Sequence, residues 1–193
     1  MAASSNPTVA RAGALARFGG PAVWGLALVL MLLPFVSVAC DTPGGFGRME
    51  AGGTTAWSGY DLAFGTAPNV DETHLRPAAE QQTDDIGVQP LILAGAIALA
   101  AAIVLAAARP AVAAVLGLVA AAALVIGELL ARSEIVDLVA AQATESFPPG
   151  TSAGDHVAIG IGFWAATVLA LLGAALVWLG SRHRGAAAPG AGP

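Results

Sequence analysis

The sequence predicts an all-α membrane protein: a bundle of four transmembrane helices with a large first outer loop and a smaller second one. Three observations carry this prediction. Apolar residues make up 56% of the 193 residues, charged residues make up only 11%, and four long segments are almost free of charge. Because a soluble globular domain contains about 25% charged residues, the composition indicates that the lipid bilayer is the main environment of the chain.

The prediction depends most on residues 91–131, which favour two helices folded back to back. Residues 91–108 carry no charged side chain, and at 1.5 Å per residue they extend ~27 Å, close to a hydrocarbon core of ~30 Å. Arg109 and Pro110 then interrupt the apolar run. Because proline fits the first turn of a helix, where its missing N–H costs nothing, we expect a second helix from Pro110 to about Ala131.

Two further uncharged segments complete the predicted bundle. Residues 21–40 form the first span, which we expect Pro34 to kink near its far end, and residues 157–179 form the last. Small residues recur every four positions along the last three spans, as in helices that pack closely in lipid, although an alanine-rich chain also produces such spacing by chance. They are Ala94, Ala98, Ala102 and Ala106; Ala113, Gly117 and Ala121; and Gly162, Ala166, Ala170 and Ala174.

Four segments lie outside the predicted spans. Residues 1–20 are a basic arm, and residues 180–193 are a disordered tail of alanine, glycine and proline. Residues 41–89 form the large outer loop, where we expect a short strand or β-hairpin leading to an amphipathic turn on the membrane surface. Residues 132–156 form the smaller outer loop, and the third helix is expected to continue into it for two or three turns.

The distribution of arginine predicts the orientation of the spans. Five arginines and no acidic residue fall on the side that holds both terminal segments and the 109–110 turn, whereas the other side holds all thirteen acidic residues. Positive residues mark the cytoplasmic side, so we expect a multi-pass plasma-membrane protein with both termini in the cytoplasm. Trp24 and Trp178 then fall near the inner interface and Trp164 near the outer one. The five arginines are Arg11, Arg17, Arg109, Arg182 and Arg184.

Glu128 is the residue inside a predicted span that would be charged in water at neutral pH, and intramembrane carboxylates are functional candidates. Arg132 follows it at i+4, where the two side chains can pair on one helix face. The sequence therefore favours a paired or snorkelling structural role for Glu128. A proton or cation site is the alternative.

The outer loop 41–89 contains a cluster of aromatic and acidic residues that are candidates for interaction. Two structures are compatible with this set. A half-buried strand would alternate Tyr60, Leu62 and Phe64 with Asp61 and Ala63, whereas the spacing of Trp57 to Tyr60 or to Asp61 suits a helical turn. We expect this set to pack the loop onto the outer ends of the helices, with a partner-binding patch as the alternative.

Acidic residues with one histidine raise the question of a metal site in the same loop. Asp71, Glu72 and His74, with Asp84 and Asp85 further on, offer oxygen and imidazole ligands. Their spacing matches neither an EF-hand loop nor a zinc signature, which favours a solvated acidic face. We therefore predict no metal and no cofactor.

Cys40 is the single cysteine of the chain, which excludes an internal disulfide framework. The preceding Ser37, Val38 and Ala39 faintly resemble a bacterial lipobox, whose cysteine is acylated after cleavage. Such boxes normally carry leucine where Ser37 stands, so an ordinary cysteine at a helix end is favoured over a lipid anchor.

The span end LPFVSVAC, the glycine-rich stretch after it and the motif SGYDLAFG together resemble a group of bacterial membrane proteins, notably of actinobacteria, that have no assigned activity. These proteins share an LPW or LPF span end, a strand-like outer segment and a G-[YFLW]-[DE]-L motif before further spans. The resemblance implies a four-span protein of the cell envelope and no particular chemistry. The matching residues are Leu33, Pro34, Phe35, Val36, Ser37, Gly59, Tyr60, Asp61 and Leu62.

The sequence contains no recognisable catalytic residues, since no serine with a plausible histidine and aspartate, no phosphate-binding loop and no metal motif is present. The chain has no lysine and a net charge of −5, which disfavours nucleic acid as a partner. We predict a non-enzymatic integral membrane protein of the bacterial cell envelope that binds itself, as a homo-oligomer, or another membrane protein. The alternatives are a small transport component using Glu128 and a lipid-anchored protein modified at Cys40.

Overall fold

The chain is mostly helical with a small antiparallel sheet. The structure, a computed structural model, describes residues 7–39, 45–50, 52–78, 84, 86–143, 147 and 149–186. The helices are α1 (Pro7–Leu30), α2 (Gly59–Phe64), α3 (Pro90–Leu105), α4 (Pro110–Gln142) and α5 (Ile161–Ala186). The strands are β1 (Pro34–Ala39), β2 (Thr54–Ser58), β3 (Asn69–Val70) and β4 (Val157–Ile159), and 3₁₀ turns occupy Glu72–His74 and Ala153–His156.

Two helical segments of the described chain are long and apolar enough to cross a membrane: Pro110–Gln142 and Ile161–Arg182. Two further apolar stretches, Gly19–Leu30 and Pro90–Leu105, are helical but shorter. Length and composition therefore identify α4 and α5 as candidate spans, and leave the apolar stretch of α1 and helix α3 below the usual span length.

The predicted first span is wrong beyond Leu30. Helix α1 ends there, and residues 34–39 form β1 instead of continuing the helix past a kink. Proline disfavours the helical conformation in the residue before it, so the helix ends ahead of Pro34. Phe35, Val36 and Val38, which are aromatic or β-branched, then fit a pleated sheet better than a helix end.

The predicted hairpin turn is present. Helix α3 ends at Leu105, three residues earlier than predicted, and α4 begins at Pro110, where the N–H of Ala113 donates to the carbonyl of Arg109 at 3.0 Å. The predicted continuation of the third helix is also confirmed, because α4 runs on to Gln142, about three turns past Ala131. The predicted last span begins late, since residues 157–159 form β4 and α5 starts only at Ile161.

The chain divides into two compact units. The helical unit consists of Met1–Val29, Gly95–Ala122 and Ala166–Pro193, and the sheet unit consists of Leu30–Ala94 and Ala123–Ala165. The predicted small-residue rows of α4 and α5 are all buried. The row of α3 is only partly so, because Ala102 and Ala106 are buried while Ala94 is exposed.

Trp24 of α1 fills the core of the helical unit. Its side chain is completely buried, which contradicts the prediction that Trp24 belongs to the aromatic belt of the inner membrane interface. Its Nε1–H donates to the carbonyl of Ala170 at 3.0 Å. Gly117 of α4 and Gly173 of α5 face the indole ring: a Cβ on Gly117 would lie 2.7 Å from Cζ2, and one on Gly173 would lie 2.8 Å from Cε2. The ring occupies the space that these two glycines leave.

The sheet unit is built on four antiparallel strands in the order β3-β2-β1-β4. Val38 of β1 pairs with Thr55 of β2 on one side and with Val157 of β4 on the other, and all three side chains are buried. The sheet is therefore larger than the predicted hairpin, because it also contains β4, which comes from much later in the chain. The predicted order of a strand followed by a helical turn is present as β2 followed directly by α2, but Tyr60 and Phe64 lie on α2 and not on a strand.

We predict that Gly117→Ala and Gly173→Ala each lower the free energy of unfolding by about 1–3 kcal/mol, because the added methyl group overpacks against the Trp24 ring. Gly25→Ala is the matched control, since a Cβ on Gly25 meets no atom within 4 Å. Unfolding of the purified protein in one detergent measures all three variants. Equal stability of Gly173→Ala and Gly25→Ala would contradict the packing described for Trp24.

Candidate functional site

The part of α4 inside the sheet unit carries polar side chains that hold loop segments in place. Arg132 Nη2 donates to the carbonyl oxygens of Gly154, at 3.0 Å, and Val157, at 3.5 Å. These carbonyls belong to the 3₁₀ turn and to the start of β4, so one guanidinium attaches the 132–156 segment to α4. Hydrogen bonds from Ser152 to the Asp155 carboxylate close the same turn and lower the pKa of Asp155 below its ordinary value.

Two further α4 side chains bind the other loop segments. The Gln89 side-chain amide donates to Glu134 Oε2 at 2.7 Å, just before α3 begins, and the Gln89 backbone N–H donates to the carbonyl of Leu62 at the end of α2. Gln142 Oε1 accepts from the backbone N–H of Gly47 at 2.9 Å. The 41–89 segment is thus attached to α4 at two points, about two turns apart.

Glu128 lies one turn before Arg132 on α4 and is fully buried. Neither carboxylate oxygen has a hydrogen-bond partner among the residues that the structure describes. No ion pair with Arg132 forms within 4.0 Å, so the predicted pair is wrong, and full burial also excludes snorkelling. The reason is that Arg132 points its guanidinium at backbone carbonyls of the second loop. Glu128 is a buried acid that makes no hydrogen bond, and no ion pair within 4.0 Å, in the described chain.

Trp57 of β2 is a core residue of the sheet unit. Its ring is completely buried and meets Phe46 edge to face, with the ring centroids 6.1 Å apart. Its Nε1–H is buried and has no acceptor within the described part of the chain. Trp57 is therefore buried inside the loop region and offers no surface to a partner, whereas packing of the aromatic set onto the outer ends of the helices stays a prediction.

Phe64, which is exposed, and Tyr60, which is half-buried, form the accessible part of the aromatic set. They stack on one side of α2, with centroids 6.3 Å apart and planes within 5°, and Phe64 is 57% exposed. Gly65, in the left-handed conformation with φ 65°, ends α2 and brings the chain against Val88, which is 53% exposed. Tyr60, Phe64 and Val88 are called the Tyr60 patch below.

Asp61 is occupied in capping α2. Its Oδ2 accepts from the backbone N–H of Ser58 at 2.8 Å, its own N–H donates to Ser58 Oγ at 3.1 Å, and its Oδ1 accepts from Thr66 Oγ1 at 2.7 Å. This is a capping box, in which two orphan donors at the helix start are satisfied reciprocally. The sequence Ser-Gly-Tyr-Asp carries that signature, and the spacing alone identifies the role.

The acidic residues considered as metal ligands are not brought together. Asp84 is buried and pairs with Arg48 at 2.8 Å, whereas Asp71 accepts from Thr73 Oγ1 at 2.6 Å and lies 3.2 Å from His74 Nδ1. The bonds from Thr73 lower the pKa of Asp71 below its ordinary value. Within the described residues, no three acidic, cysteine or histidine side chains are placed to hold a metal ion. Asp85 and Cys40 lie outside the described residues.

The sequence did not predict the groove that runs beside Glu134 in the sheet unit. It has a volume of about 590 Å³, and Gln89 closes one side. The α4 residues that line the groove are spaced three and four positions apart, so they share one face of the helix. That spacing is visible in the sequence and could have indicated the face. The α4 residues are Leu130, Ser133, Glu134, Asp137 and Leu138.

No known family model matches the chain, and no curated protein matches it.

We predict that Glu128→Leu raises the free energy of unfolding by about 1–3 kcal/mol, because it removes a buried polar group that has no partner. Glu134→Leu is the matched control on the same helix. It removes the acceptor of a buried glutamine amide and should lower stability by about 1–3 kcal/mol. Denaturation of both variants in one detergent gives the comparison, and a destabilised Glu128→Leu would show that the carboxylate has a stabilising partner.

Proposed function

We propose that the chain is an integral protein of the bacterial plasma membrane that acts by binding a second copy of itself or another membrane protein, and not as an enzyme. The observation that carries this proposal is the exposed surface of α4 and α5. From Pro110 to Ala131 on α4, every exposed side chain is apolar, and the same holds for the exposed side chains from Ile161 to Gly180 on α5.

Such a surface is unfavourable in water. Large side chains on α4, including Val115 and Leu118, are about half exposed, at 54% and 52%. A soluble helix places polar residues on its exposed face, and soluble proteins rarely expose contiguous apolar patches larger than a few hundred Å². Hydrocarbon chains are the solvent in which an apolar exposed face costs nothing.

The shorter helices support a four-helix bundle within the membrane. In the helical unit, Trp24 of α1 packs against Gly117, which lies inside the apolar part of α4. In the sheet unit, Ile92 of α3 packs against Gly127 in the same apolar part. Each short helix thus lies beside a candidate span. Helix α3, with 16 residues, extends about 24 Å, a mismatch that tilting of neighbours or local thinning of the bilayer accommodates.

The arginines support the orientation that places residues 1–20, the 109–110 turn and residues 180–193 in the cytoplasm. The loops 41–89 and 132–156 then lie outside. With this orientation the Tyr60 patch is available on the outer side, where an apolar surface fits another membrane protein.

We predict that, with Cys40 replaced by serine, a cysteine in place of Glu72 reacts with a membrane-impermeant maleimide in intact cells. A cysteine in place of Gly190 should react only after permeabilisation. These outcomes follow from the positive-inside orientation, because the two positions fall on opposite sides. Reaction of the Gly190 cysteine in intact cells would contradict the topology.

We predict that Phe64→Ser abolishes co-purification of a partner, or of a differently tagged second copy, from mild detergent. Phe64 is the most exposed ring of the Tyr60 patch, and a contact centred on it loses its apolar anchor. Leu75→Ser is the control, since Leu75 is also an exposed apolar residue of the sheet unit. Purification of the wild type as a monomer alone would count against binding as the function.

One observation favours a second candidate function. The Glu128 carboxylate is buried and has no partner in the described chain, as expected for a carboxylate that takes up a proton or cation in transport. Flux of protons or sodium ions into proteoliposomes should then be lost in Glu128→Gln and kept in Glu134→Gln. Absence of flux with the wild type would remove this candidate.

The lipid-anchor alternative conflicts with the sheet. Processing before Cys40 would remove β1, which pairs with β2 on one side and β4 on the other. The two neighbouring strands would lose their backbone hydrogen bonds, which are costly to leave unmade. The intact mass of the membrane-extracted protein tests this, since a mass that includes residues 1–39 excludes cleavage.

A further inference from the structure

The helical unit contains an apolar groove between α4 and α5, of about 310 Å³. Its floor consists of Ala114 and Ala174, which are buried, and its walls consist of larger side chains that are about half exposed. Along α5 the groove reaches from Leu171 to Trp178, about 10 Å at 1.5 Å per residue. The wall residues are Val115, Leu118, Leu171 and Trp178.

The positively charged side chain of Arg182 lies at the Trp178 end of this groove. The guanidinium carbon of Arg182 is 5.1 Å from the centroid of the Trp178 ring, in a cation–π contact, and the Arg182 side chain is exposed. Arg109 precedes the first residue of α4 and is exposed as well. In the proposed topology α4 runs outward and α5 returns, so both arginines lie at the cytoplasmic end of the groove.

The helical unit supplies no counter-charge for these arginines. Its three segments contain five arginines and no aspartate or glutamate. A guanidinium at a membrane surface therefore finds its anion in the surroundings, and the cytoplasmic leaflet is rich in anionic headgroups. Arginine binds phosphate with two parallel hydrogen bonds, which favours a phosphate over a diffuse counterion.

We propose that the groove between α4 and α5 is a binding site for an anionic phospholipid of the cytoplasmic leaflet, with one acyl chain between Val115 and Leu171 and the headgroup phosphate at Arg182 and Arg109. The proposal rests on the membrane location proposed above. It goes beyond that location because a bilayer needs no specific lipid to solvate an apolar face. The charge at one end of the groove favours a lipid over a second copy of the chain, whose helical unit is equally cationic.

The test is native mass spectrometry of the full chain released from detergent with phosphatidylglycerol or phosphatidylcholine. Wild type should retain phosphatidylglycerol in preference to phosphatidylcholine. Arg182→Gln should weaken that retention about tenfold, the value of one charge-assisted contact, and Arg182→Gln combined with Arg109→Gln should weaken it further. Arg11→Gln removes the same charge from the arm on the same predicted side, and should leave retention unchanged.

A second pair of variants tests the groove itself. Ala175 lines the groove and is exposed, so Ala175→Phe should fill the groove and reduce phosphatidylglycerol binding. Ala122→Phe places the same ring on an exposed position of α4 outside the groove lining and should have no effect. Circular dichroism of each variant checks that the helices are intact.

Several results would overturn the proposal. Equal retention of the two lipids by wild type would show no headgroup preference, and an equal loss in Arg11→Gln and Arg182→Gln would show only general charge attraction. Complete displacement of the lipid by inorganic phosphate would identify a free-anion site, and a dimer lost in Ala175→Phe would identify a second copy as the occupant. Each result leaves the membrane location intact, which fails separately if the protein stays soluble without detergent.

Discussion

The exposed apolar faces of α4 and α5 are the constraint on which the rest of the structure depends. The side chains that these helices turn outward between Pro110 and Ala131, and between Ile161 and Gly180, are all apolar. The inward faces carry small residues, so the helix contacts in the helical unit come from close backbone approach and from the Trp24 ring between Gly117 and Gly173. In the proposed bilayer environment apolar burial would give little net gain, so packing by these small residues is what would hold the helices together.

The sheet unit follows a different physical rule. Its strands bury Val38, Thr55 and Val157. Its loops are fixed to α4 by hydrogen bonds that Arg132 donates and that Glu134 and Gln142 accept, as in a small soluble domain. Helix α4 therefore takes part in both units: its first turns expose only hydrocarbon side chains, and its last three turns present polar groups to loop backbone. Glu128 lies between these two parts of α4. It is buried, and its carboxylate has no hydrogen-bond partner in the described chain.

The parts of the fold that depend on neighbouring residues could be predicted from the sequence. Pro110 begins α4 because of its own ring, and Asp61 caps α2 because Ser58 lies three residues before it. Strand β1 could not be predicted in the same way. Its apolar residues are also compatible with the end of a helix. They form a strand because they pair with β2 and with β4, and β4 lies far along the chain, where Ile159 pairs with Val36.

In the candidate site, too, some features follow from neighbouring residues and others depend on distant parts of the chain. The i+4 spacing of Glu128 and Arg132 allowed an ion pair, but the carbonyls of Gly154 and Val157, more than twenty residues later, took the guanidinium instead. Spacing along a helix reports which side chains can meet, and the rest of the fold decides whether they do. Trp57 and Tyr60 are three residues apart, yet one lies in the core and the other stacks on an exposed ring, because β2 ends between them.

The most direct measurement of the central claim is the accessibility of nitroxide labels placed one at a time at Val115, Val119 and Ile126, all exposed on α4. In reconstituted bilayers, molecular oxygen should reach these labels readily, whereas a water-soluble nickel chelate should not, since apolar oxygen partitions into hydrocarbon. Free access of the nickel chelate to all three positions would show that this face of α4 lies in water, and the account of a membrane-embedded bundle would be wrong.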